Sequence, residues 1–266
     1  MLSFLIEPFK PMLHHRRILV RTGIAEVRQR YAGSIIGLFW LALAPVLLLT
    51  LYSFIYLVVF RVRPSDLDPY EYVLYILSGL VPFLGFSDAL TSGTSSLSLN
   101  RVLLLSTVFP SELVPLRTVA ASQGGTAVGL VLMIFGALVL GKLSWAALLV
   151  PLIFLLQMMF VLGVVWVLSL ASLLLRDIQQ MLVFVTMVVM VGSPIAYTPQ
   201  MVPESVKLIL YLNPLSYFVI GFHETIVFGR VPPAPIIAAM VGLALGSFTI
   251  GFAIFQRAKR VFFDYV

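Results

Sequence analysis

The sequence EVRQRYAGSIIGLFW, residues 26–40, joins a charged segment to an apolar one. Its first half carries Glu26, Arg28 and Arg30. Its second half contains two glycines and a serine and ends on Trp40. Basic residues beside a long apolar run are typical of the place where a helix enters a lipid bilayer. The stretch therefore predicts a membrane protein.

The composition agrees with that prediction. Of the 266 residues, 61% are hydrophobic and only 11% are charged, with a mean hydropathy of +1.07, whereas a soluble domain is about half apolar and a quarter charged. The net charge is +6, but the basic residues flank apolar runs instead of forming a stripe with interleaved aromatic side chains. We therefore expect no nucleic acid partner. The chain has no cysteine, which excludes disulfides and thiolate metal sites.

Six apolar stretches are long enough to cross the hydrocarbon core, which requires about 20 helical residues. We predict an all-α, polytopic membrane protein with six transmembrane helices. The predicted spans are residues 34–60, 70–91, 116–140, 145–175, 178–196 and 236–255. Residues 1–33 are predicted to form a cytoplasmic amphipathic interface segment, and residues 34–266 a single six-helix transmembrane domain.

The basic residues predict the orientation. Six spans place both termini on one side. If that side is the cytoplasm, it holds twelve of the 17 lysine and arginine residues, and the outer side holds Arg61, Arg63, Lys142, Lys207 and Arg230. Because cytoplasmic connections are enriched in lysine and arginine, we expect both termini to be cytoplasmic.

The residue pattern of the N-terminal segment predicts a helix that lies in the membrane surface. At about 100° per residue, its side chains form an apolar arc, a basic arc beside it and a polar arc opposite, although Leu19 falls on the polar side. The apolar arc contains Val20, Ile24, Val27 and Tyr31. The basic arc contains Arg17, Arg21 and Arg28, and the polar arc contains Thr22, Glu26 and Gln29. Arginines in this arrangement reach lipid phosphates.

The connection between the fifth and sixth spans is unusually long. Residues 197–235 are rich in proline, yet they contain apolar helical stretches at residues 206–212 and 215–228. Irregular backbone at membrane depth is tolerated only where protein or a water-filled cavity covers it. We therefore predict a short outer helical pair, either re-entrant or lying on the surface.

One stretch resembles a nucleotide-binding loop. GALVLGK, residues 136–142, meets the first seven positions of a Walker A motif, but Leu143 stands where magnesium needs a serine or threonine. The stretch also ends a predicted span on the outer side, where ATP is absent. We therefore expect this chain to have no ATPase site of its own and to bind no cofactor.

Acidic residues are absent from the middle of every predicted span, which argues against a secondary transporter driven by protons or sodium ions. Asp88, near the inner end of the second span, is the nearest case. It could cap a helix, pair with Arg101 or face a water-filled entrance. The chain also shows no internal repeat of spans, which many secondary transporters have.

Aromatic residues are concentrated around the first two spans. Tyr52, Phe54 and Tyr56 lie deeper than an interfacial aromatic belt would place them, and aromatic rings stack on the apolar faces of sugar rings. They are candidates for a polysaccharide pathway, with core packing as the alternative. Three GxxxG spacings, at Gly33–Gly37, Gly125–Gly129 and Gly242–Gly246, permit close helix packing within one subunit or between two.

Several segments resemble a known family when taken in order. RQRYAGSIIGLFW resembles the start of the first span in type-2 ABC exporter permeases for O-antigen, capsular polysaccharide and teichoic acid. VFPSELVPL (residues 108–116), LLLRDI (173–178), SPIAY (193–197) and LNPLSY (212–217) are similar to later elements of the same family. One departure is Ser106, where relatives often carry a lysine.

The resemblance implies a homodimer driven by a separate cytoplasmic ABC ATPase that holds ATP and magnesium. It implies transport of a lipid-linked polysaccharide between two copies, across the bacterial inner membrane and in contact with membrane lipid. The ATPase-coupling residues would be Arg28, Arg30, Asn100, Arg101, Glu112, Arg176 and Asp177. The substrate pathway would include Trp40, Tyr52, Phe54, Tyr56 and Asp88. The outer gate would comprise Pro194, Tyr197, Asn213, Pro214 and Tyr217. A permease for a small lipid or drug remains the alternative within the family.

Overall fold

Every regular element that the structure describes is a helix. The computed structural model describes residues 7–59, 67–100, 110–175, 177–205 and 207–262, and these ranges contain no strand. The prediction of an all-α protein is confirmed. The helices are α1 (Phe9–His14), α2 (Arg16–Arg30), α3 (Trp40–Ser53), α4 (Pro69–Leu99), α5 (Leu113–Ser122), α6 (Gly124–Val139), α7 (Val150–Leu174), α8 (Ile178–Gly192), α9 (Lys207–Leu212), α10 (Pro214–Ile226) and α11 (Ala234–Phe262).

Among these residues, four helical segments are long and apolar enough to cross a membrane. They are Pro69–Leu99, Leu113–Val139, Trp145–Leu174 and Ala234–Lys259. The first and fifth predicted spans correspond to shorter apolar helices, Gly37–Ser53 and Ile178–Gly192. α3 continues as a π-helical segment, Phe54–Val59. The protein is therefore a multi-pass membrane protein, but the structure does not confirm the predicted count of six full-length spans.

The third predicted span is divided in two. α5 ends at Ser122 and α6 begins at Gly124, so Gln123 lies at the break. The Gln123 side chain is buried and donates a hydrogen bond of 2.9 Å from Nε2 to the carbonyl oxygen of Gly85 in α4. The side-chain amide thus holds the break against α4, an interaction that hydropathy alone does not reveal.

α4 is the central helix of the bundle. In its most apolar 18-residue window, 83% of the residues are buried, against 33–44% in the other three long segments. It packs against α5, α6, α7 and α10, and also contacts α3 and α8. Burial on all sides explains why its apolar residues show no helical stripe, since a fully surrounded helix is apolar all round.

The closest helix crossing joins α7 and α11. Gly163 of α7 lies directly against the backbone at Ser247 and Gly251 of α11, where a Cβ atom would collide. Ser247 also donates a 2.9 Å hydrogen bond from Oγ to the carbonyl oxygen of Phe160. By contrast, Gly242 and Gly246 face open space within the chain. Small residues do permit close packing here, but the contact lies outside the GxxxG pairs.

The bundle has two ends with different chemistry. At one end α2 meets the C-terminal part of α4 and the start of α5 through ion pairs, and Lys259 near the end of α11 pairs with Glu112, which precedes α5. We call this the basic end. At the other end the start of α4 meets residues 194–197, and α4 also packs against α10, which contacts α9. We call this the proline end.

The predicted outer helical pair is present at the proline end. It consists of α9 and α10, close to the predicted residues 206–212 and 215–228. α10 is mostly buried and packs against α4, α7 and α11. It therefore forms part of the core of the bundle at this end instead of lying on its surface.

Candidate functional site

The basic end contains a buried connection between three helices. Arg117, in α5, is only 7% exposed. Its guanidinium forms an ion pair with Glu26 of α2 and donates a 2.9 Å hydrogen bond from Nη2 to Oδ1 of Asn100, the residue that caps the C-terminus of α4. Asn100 in turn donates from Nδ2 to the carbonyl oxygen of Ser96, at 2.8 Å. Arg117 therefore touches α2 and the end of α4 simultaneously.

Glu112 is held by residues from the other side of the bundle. It precedes α5 and is 8% exposed. Lys259 of α11 donates a 3.0 Å hydrogen bond from Nζ to Glu112 Oε2, and Trp166 Nε1 of α7 donates to its backbone carbonyl, also at 3.0 Å. Burial by itself raises the pKa of this carboxyl, but a backbone hydrogen bond, Lys259 and Gln256 outweigh it and lower the pKa overall.

Asp88 pairs with Arg30 at the basic end. Arg30 Nη1 lies 2.9 Å from Asp88 Oδ2, with the two side chains 26% and 47% exposed. The sequence was compatible with three roles for Asp88: capping a helix, pairing with Arg101 or facing a water-filled entrance. Arg101 lies outside the described residues. A cavity of about 210 Å³ adjoins Asp88 and is otherwise lined mainly by α3, α4 and the α5–α6 break.

α2 contacts the bundle through a face that the sequence pattern did not select. Leu19 and Glu26 are partly buried, whereas Val20 and Ile24 are exposed. Glu26 belongs to the arc predicted to be polar, and its carboxylate faces α5 because it pairs with Arg117 there. The helix is confirmed, and its exposed side carries the arginines together with Val20 and Ile24, whereas Val27 and Tyr31 of the apolar arc are partly buried.

The remaining coupling candidates lie at the same end or outside the described residues. Arg28 is exposed on α2, and Asp177 is exposed at the start of α8. Arg176 is not among the residues that the structure describes. The structure thus brings Arg30, Asn100 and Glu112 into defined contacts, while the roles of all seven candidates stay predictions.

Besides Asp88 on α4, the predicted pathway residues lie on α3 and on the π-helical segment that follows it. Trp40, at the start of α3, is half-buried and donates a 3.1 Å hydrogen bond from Nε1 to Ser34 Oγ. Tyr52 is half-buried against the core, and Phe54 is 56% exposed. The Tyr56 side chain lies outside the described residues. Among the described side chains of this helix only Pro45 is buried, so most of α3 is accessible to lipid or to another protein.

Asn213 makes hydrogen bonds to two helices at the proline end. It caps α10 by accepting a 3.0 Å hydrogen bond at Oδ1 from the backbone amide of Leu215. Its amide nitrogen donates at 2.9 Å to the carbonyl oxygen of Val189 and to Ser193 Oγ. The buried Asn213 side chain therefore caps the N-terminus of α10, whose first residue is Pro214. The same side chain connects α10 to the end of α8.

The SPIAY segment is held by two tyrosines of α4. Tyr72 donates a 2.9 Å hydrogen bond from its hydroxyl to the carbonyl oxygen of Ala196, and Tyr75 donates at 3.1 Å to that of Tyr197. Pro194 is buried beneath them. Tyr217 donates to the carbonyl oxygen of Tyr211 at 2.8 Å and thereby links α10 to α9. The five predicted gate residues thus share one end of the bundle, and gating itself stays a prediction.

Two further features of the proline end escaped the sequence analysis. His223 is 2% exposed, and its ring stacks on Tyr75 with the ring centroids 3.7 Å apart. The neighbouring residue Glu224 forms an ion pair with Arg230. Tyr72 and Tyr75 are three residues apart on α4, so their common face was visible as a helical spacing. The carbonyl groups that they bind are more than 100 residues away in the sequence, so local spacing could not identify them.

The residues that resemble a Walker A motif form a helix C-terminus. α6 ends at Val139, and Gly141 has φ = +67°. The amide of Gly141 donates to the carbonyl oxygen of Leu138, and that of Lys142 to the carbonyl oxygen of Ala137, which is a Schellman cap. The Lys142 ammonium lies 2.8 Å from Glu71 Oε1. The glycine and the lysine therefore serve helix capping and an ion pair.

Sequence reasoning also missed Glu26, Arg117, Lys259 and Trp166 at the basic end. Arg117 carried a usable signal: a charged residue just inside an apolar span is costly unless it is paired. Within the described ranges no group of three or more His, Asp or Glu residues is arranged to hold a metal ion. The described contacts at both ends position helices relative to one another.

Comparisons with known proteins cover most of the chain. The sequence profile described as ABC-2 type transporter matches residues 21–227. The chain is 24% identical over 261 residues to the O-antigen export system permease protein RfbA of Myxococcus xanthus, covering 97% of this chain and 98% of the relative. Two proteins of the same name from Klebsiella pneumoniae are 27% and 28% identical over 249 residues, covering 92% of this chain and 93% of theirs.

Proposed function

Since this chain belongs to the ABC-2 type transporter family, we propose that it is the permease subunit of an ATP-driven exporter of a lipid-linked polysaccharide of the O-antigen type. The observation that carries this proposal is its similarity, along 92–97% of its length, to relatives named as O-antigen export permeases. A separate cytoplasmic ATPase subunit binds and hydrolyses the ATP with magnesium, and this chain supplies the membrane pathway.

In this proposal the basic end lies in the cytoplasm of a bacterial inner-membrane protein. The rule that basic residues favour the cytoplasmic side supports this orientation. Arg30, Arg117 and Lys259 lie at the basic end, while Lys142 and Arg230 lie at the other. The proline end then faces outward, together with the proposed gate.

The ATPase acts on the α4–α5 connection. Asn100 and Glu112, at its two described ends, are both tied to other helices. Such ties favour transmission of a push on this connection to α2 and α11, because packed elements shift between discrete arrangements instead of deforming smoothly. Arg28 and Asp177, exposed at the same end, are further proposed contacts with the ATPase.

The substrate passes between two copies of the chain. The exposed surfaces of α3 and α8 support this arrangement: of the 15 residues of α8, only Leu182 and Thr186 are buried. The remaining surface of α8 includes Phe184, 70% exposed, and several valines and methionines. A second copy, lipid and substrate are the surroundings that such apolar faces suit in a membrane.

The experiment that tests this function is reconstitution. The chain, co-expressed with its partner ABC ATPase, is expected to co-purify as two copies of each subunit. In proteoliposomes the complex is expected to translocate a labelled lipid-linked O-polysaccharide only with ATP. The matched control is the same complex with an ATPase variant that binds but does not hydrolyse ATP. Translocation by the purified chain alone, without ATP, would contradict the proposal.

A second candidate is export of a small lipid or drug. It is favoured by the aliphatic character of the exposed faces of α3 and α8 and by the packing of Tyr52 against the core. In the same proteoliposomes, a fluorescent phospholipid is offered in place of the polysaccharide. The polysaccharide proposal expects Phe54→Ala to reduce glycan export without affecting dimer assembly. ATP-dependent movement of the phospholipid but not of the glycan would support the second candidate instead.

A further inference from the structure

The α4–α5 connection has two anchors that lead to different parts of the chain. The anchor on its α5 side is Glu112, which binds Lys259 of α11 and Trp166 of α7. The anchor on its α4 side is Asn100, which binds Arg117. Only the second anchor continues to the N-terminal helix, because among the described contacts it is Arg117 that also pairs with Glu26 of α2.

Arg117 has the side chain that this double contact requires. A guanidinium is planar, keeps its charge and presents several N–H donors in a fixed fork. The ion pair with Glu26 uses the Nε edge, and the hydrogen bond to Asn100 uses Nη2. A lysine ammonium on this backbone position would reach one of the two partners but would not bridge both in a fixed geometry.

Burial makes this contact difficult to break. The Arg117 and Glu26 side chains are 9% and 15% exposed, and removing one member of a buried pair leaves an uncompensated charge. The other described ion pair between α2 and the bundle, Arg30–Asp88, is 26% and 47% exposed, and exposed pairs contribute little. Of the described ion pairs of α2, it is therefore the one with Arg117 that holds α2 more firmly, and Arg117 also binds Asn100.

We propose that Arg117 is a positioning residue that makes α2 and the α4–α5 connection move as one unit during transport. This inference rests on the proposed function, in which the ATPase acts on that connection. It adds a residue outside the seven coupling candidates and gives α2 a mechanical role beyond contact with the membrane surface. A displacement of the connection reaches α2 through the Asn100–Arg117–Glu26 contacts.

The test measures ATP turnover of the reconstituted complex, normalised to the amount of assembled complex. Glu26→Gln and Arg117→Gln are each expected to lower kcat about five- to tenfold, at the low end of usual coupling effects, with the KM for ATP unchanged. The double variant is expected to fall no further than Arg117→Gln, because the two residues share one contact. The charge-swapped chain, Glu26→Arg with Arg117→Glu, is expected to recover part of the loss.

Lys142→Gln is the control for location, because it removes a more exposed ion pair at the proline end, away from the proposed ATPase contact. It is expected to retain wild-type turnover. Wild-type turnover in Glu26→Gln would overturn the inference, as would losses that multiply in the double variant. A charge-swapped chain that assembles normally but recovers nothing would also overturn it.

A spectroscopic measurement separates this inference from the proposed function. The chain has no cysteine, so spin labels at Gln29→Cys of α2 and Leu99→Cys of α4, in labelled chains diluted with an excess of unlabelled ones, report the distance within one chain without the ATPase present. Arg117→Gln is expected to broaden that distance distribution, and the charge swap to narrow it again. An unchanged distribution overturns the positioning role. Broadening in a chain that forms no ATP-driven exporter refutes only the proposed function.

Discussion

At the basic end, ion pairs between side chains connect α2, α5 and α11, whereas at the proline end the residues between α8 and α10 are held by neutral side chains that bind backbone groups. Glu26–Arg117 and Glu112–Lys259 are contacts between two side chains. Asn213, by contrast, binds the backbone at both Val189 and Leu215. A contact between side chains permits rotation and exchange of partners, while a contact to a carbonyl or an amide fixes the path of the chain.

This difference in the kind of contact indicates what each end of the bundle is suited to do. The ion pairs at the basic end connect α2, α5 and α11, and a partner carrying its own charges competes for them directly. The hydrogen bonds at the proline end define the shape of the residues between α8 and α10. In the proposed exporter, the adjustable end faces the ATPase, and the end with the fixed backbone faces outward.

The largest expected effect is at the proline end. Asn213→Ala removes the cap of α10 and both amide donors, and we expect a loss of about 2 to 3 kcal/mol in the free energy of unfolding. The measurement is unfolding by SDS in mixed detergent micelles, followed by circular dichroism. Asn213→Ser is the matched control, because it keeps the cap and loses only the amide donors, so about half of the loss is expected. A loss below about 1 kcal/mol for Asn213→Ala would show that this side chain does not hold the end together.

The next largest effect concerns Glu112 and Lys259. A double-mutant cycle with Glu112→Gln and Lys259→Met is expected to give a coupling energy of about 1 to 2 kcal/mol, because the pair is partly buried. The same unfolding assay supplies the four stabilities. The pKa of Glu112 is lowered in the folded state, so its ionised form stabilises the fold above the pKa of the unfolded chain. That contribution is lost as the pH falls through the folded value. Additive effects of the two substitutions would contradict the contact.

The smallest expected effect concerns Arg30 and Asp88. This pair is the most exposed of the three ion pairs at the basic end, and a cycle with Arg30→Gln and Asp88→Asn is expected to give no more than about 0.5 kcal/mol. Raising the salt concentration to about 1 M is expected to abolish it, since the Debye length falls to about 3 Å. The Asn213 variants serve as the control, because their neutral contacts are expected to be insensitive to salt. A coupling energy above about 1 kcal/mol that does not depend on salt would contradict the expected difference between the exposed Arg30–Asp88 pair and the buried Glu26–Arg117 pair.

The sequence predicted the helices better than it predicted their contacts. Hydropathy located all six apolar segments, and the proline-rich connection was correctly predicted to contain a helical pair. It did not find the break at Gln123, because a single glutamine beside glycines does not alter the mean hydropathy of a span. It also extended the fifth segment beyond Gly192, where α8 ends, because apolar residues in a neighbouring turn score like helix.

The candidate sites show the same limit. The motifs selected Asn100, Glu112 and Asn213, which the structure places in defined contacts, but not the partners Arg117, Lys259 and Val189. Glu112 and Lys259 are 147 residues apart. Nothing in local spacing relates such positions, since helix periodicity reaches only a few turns.

The amino-acid sequence by itself determined the membrane environment, the helical class, the sidedness that we propose and the family. These follow from composition, from charge flanking apolar runs and from short motifs, all of which are local properties. The tertiary structure alone decided which helix is central, where α7 and α11 cross at Gly163, and which charged residues pair at the basic end. Those features depend on how distant segments pack, because a buried charge or a close backbone contact is favourable only when its partner arrives from elsewhere in the chain.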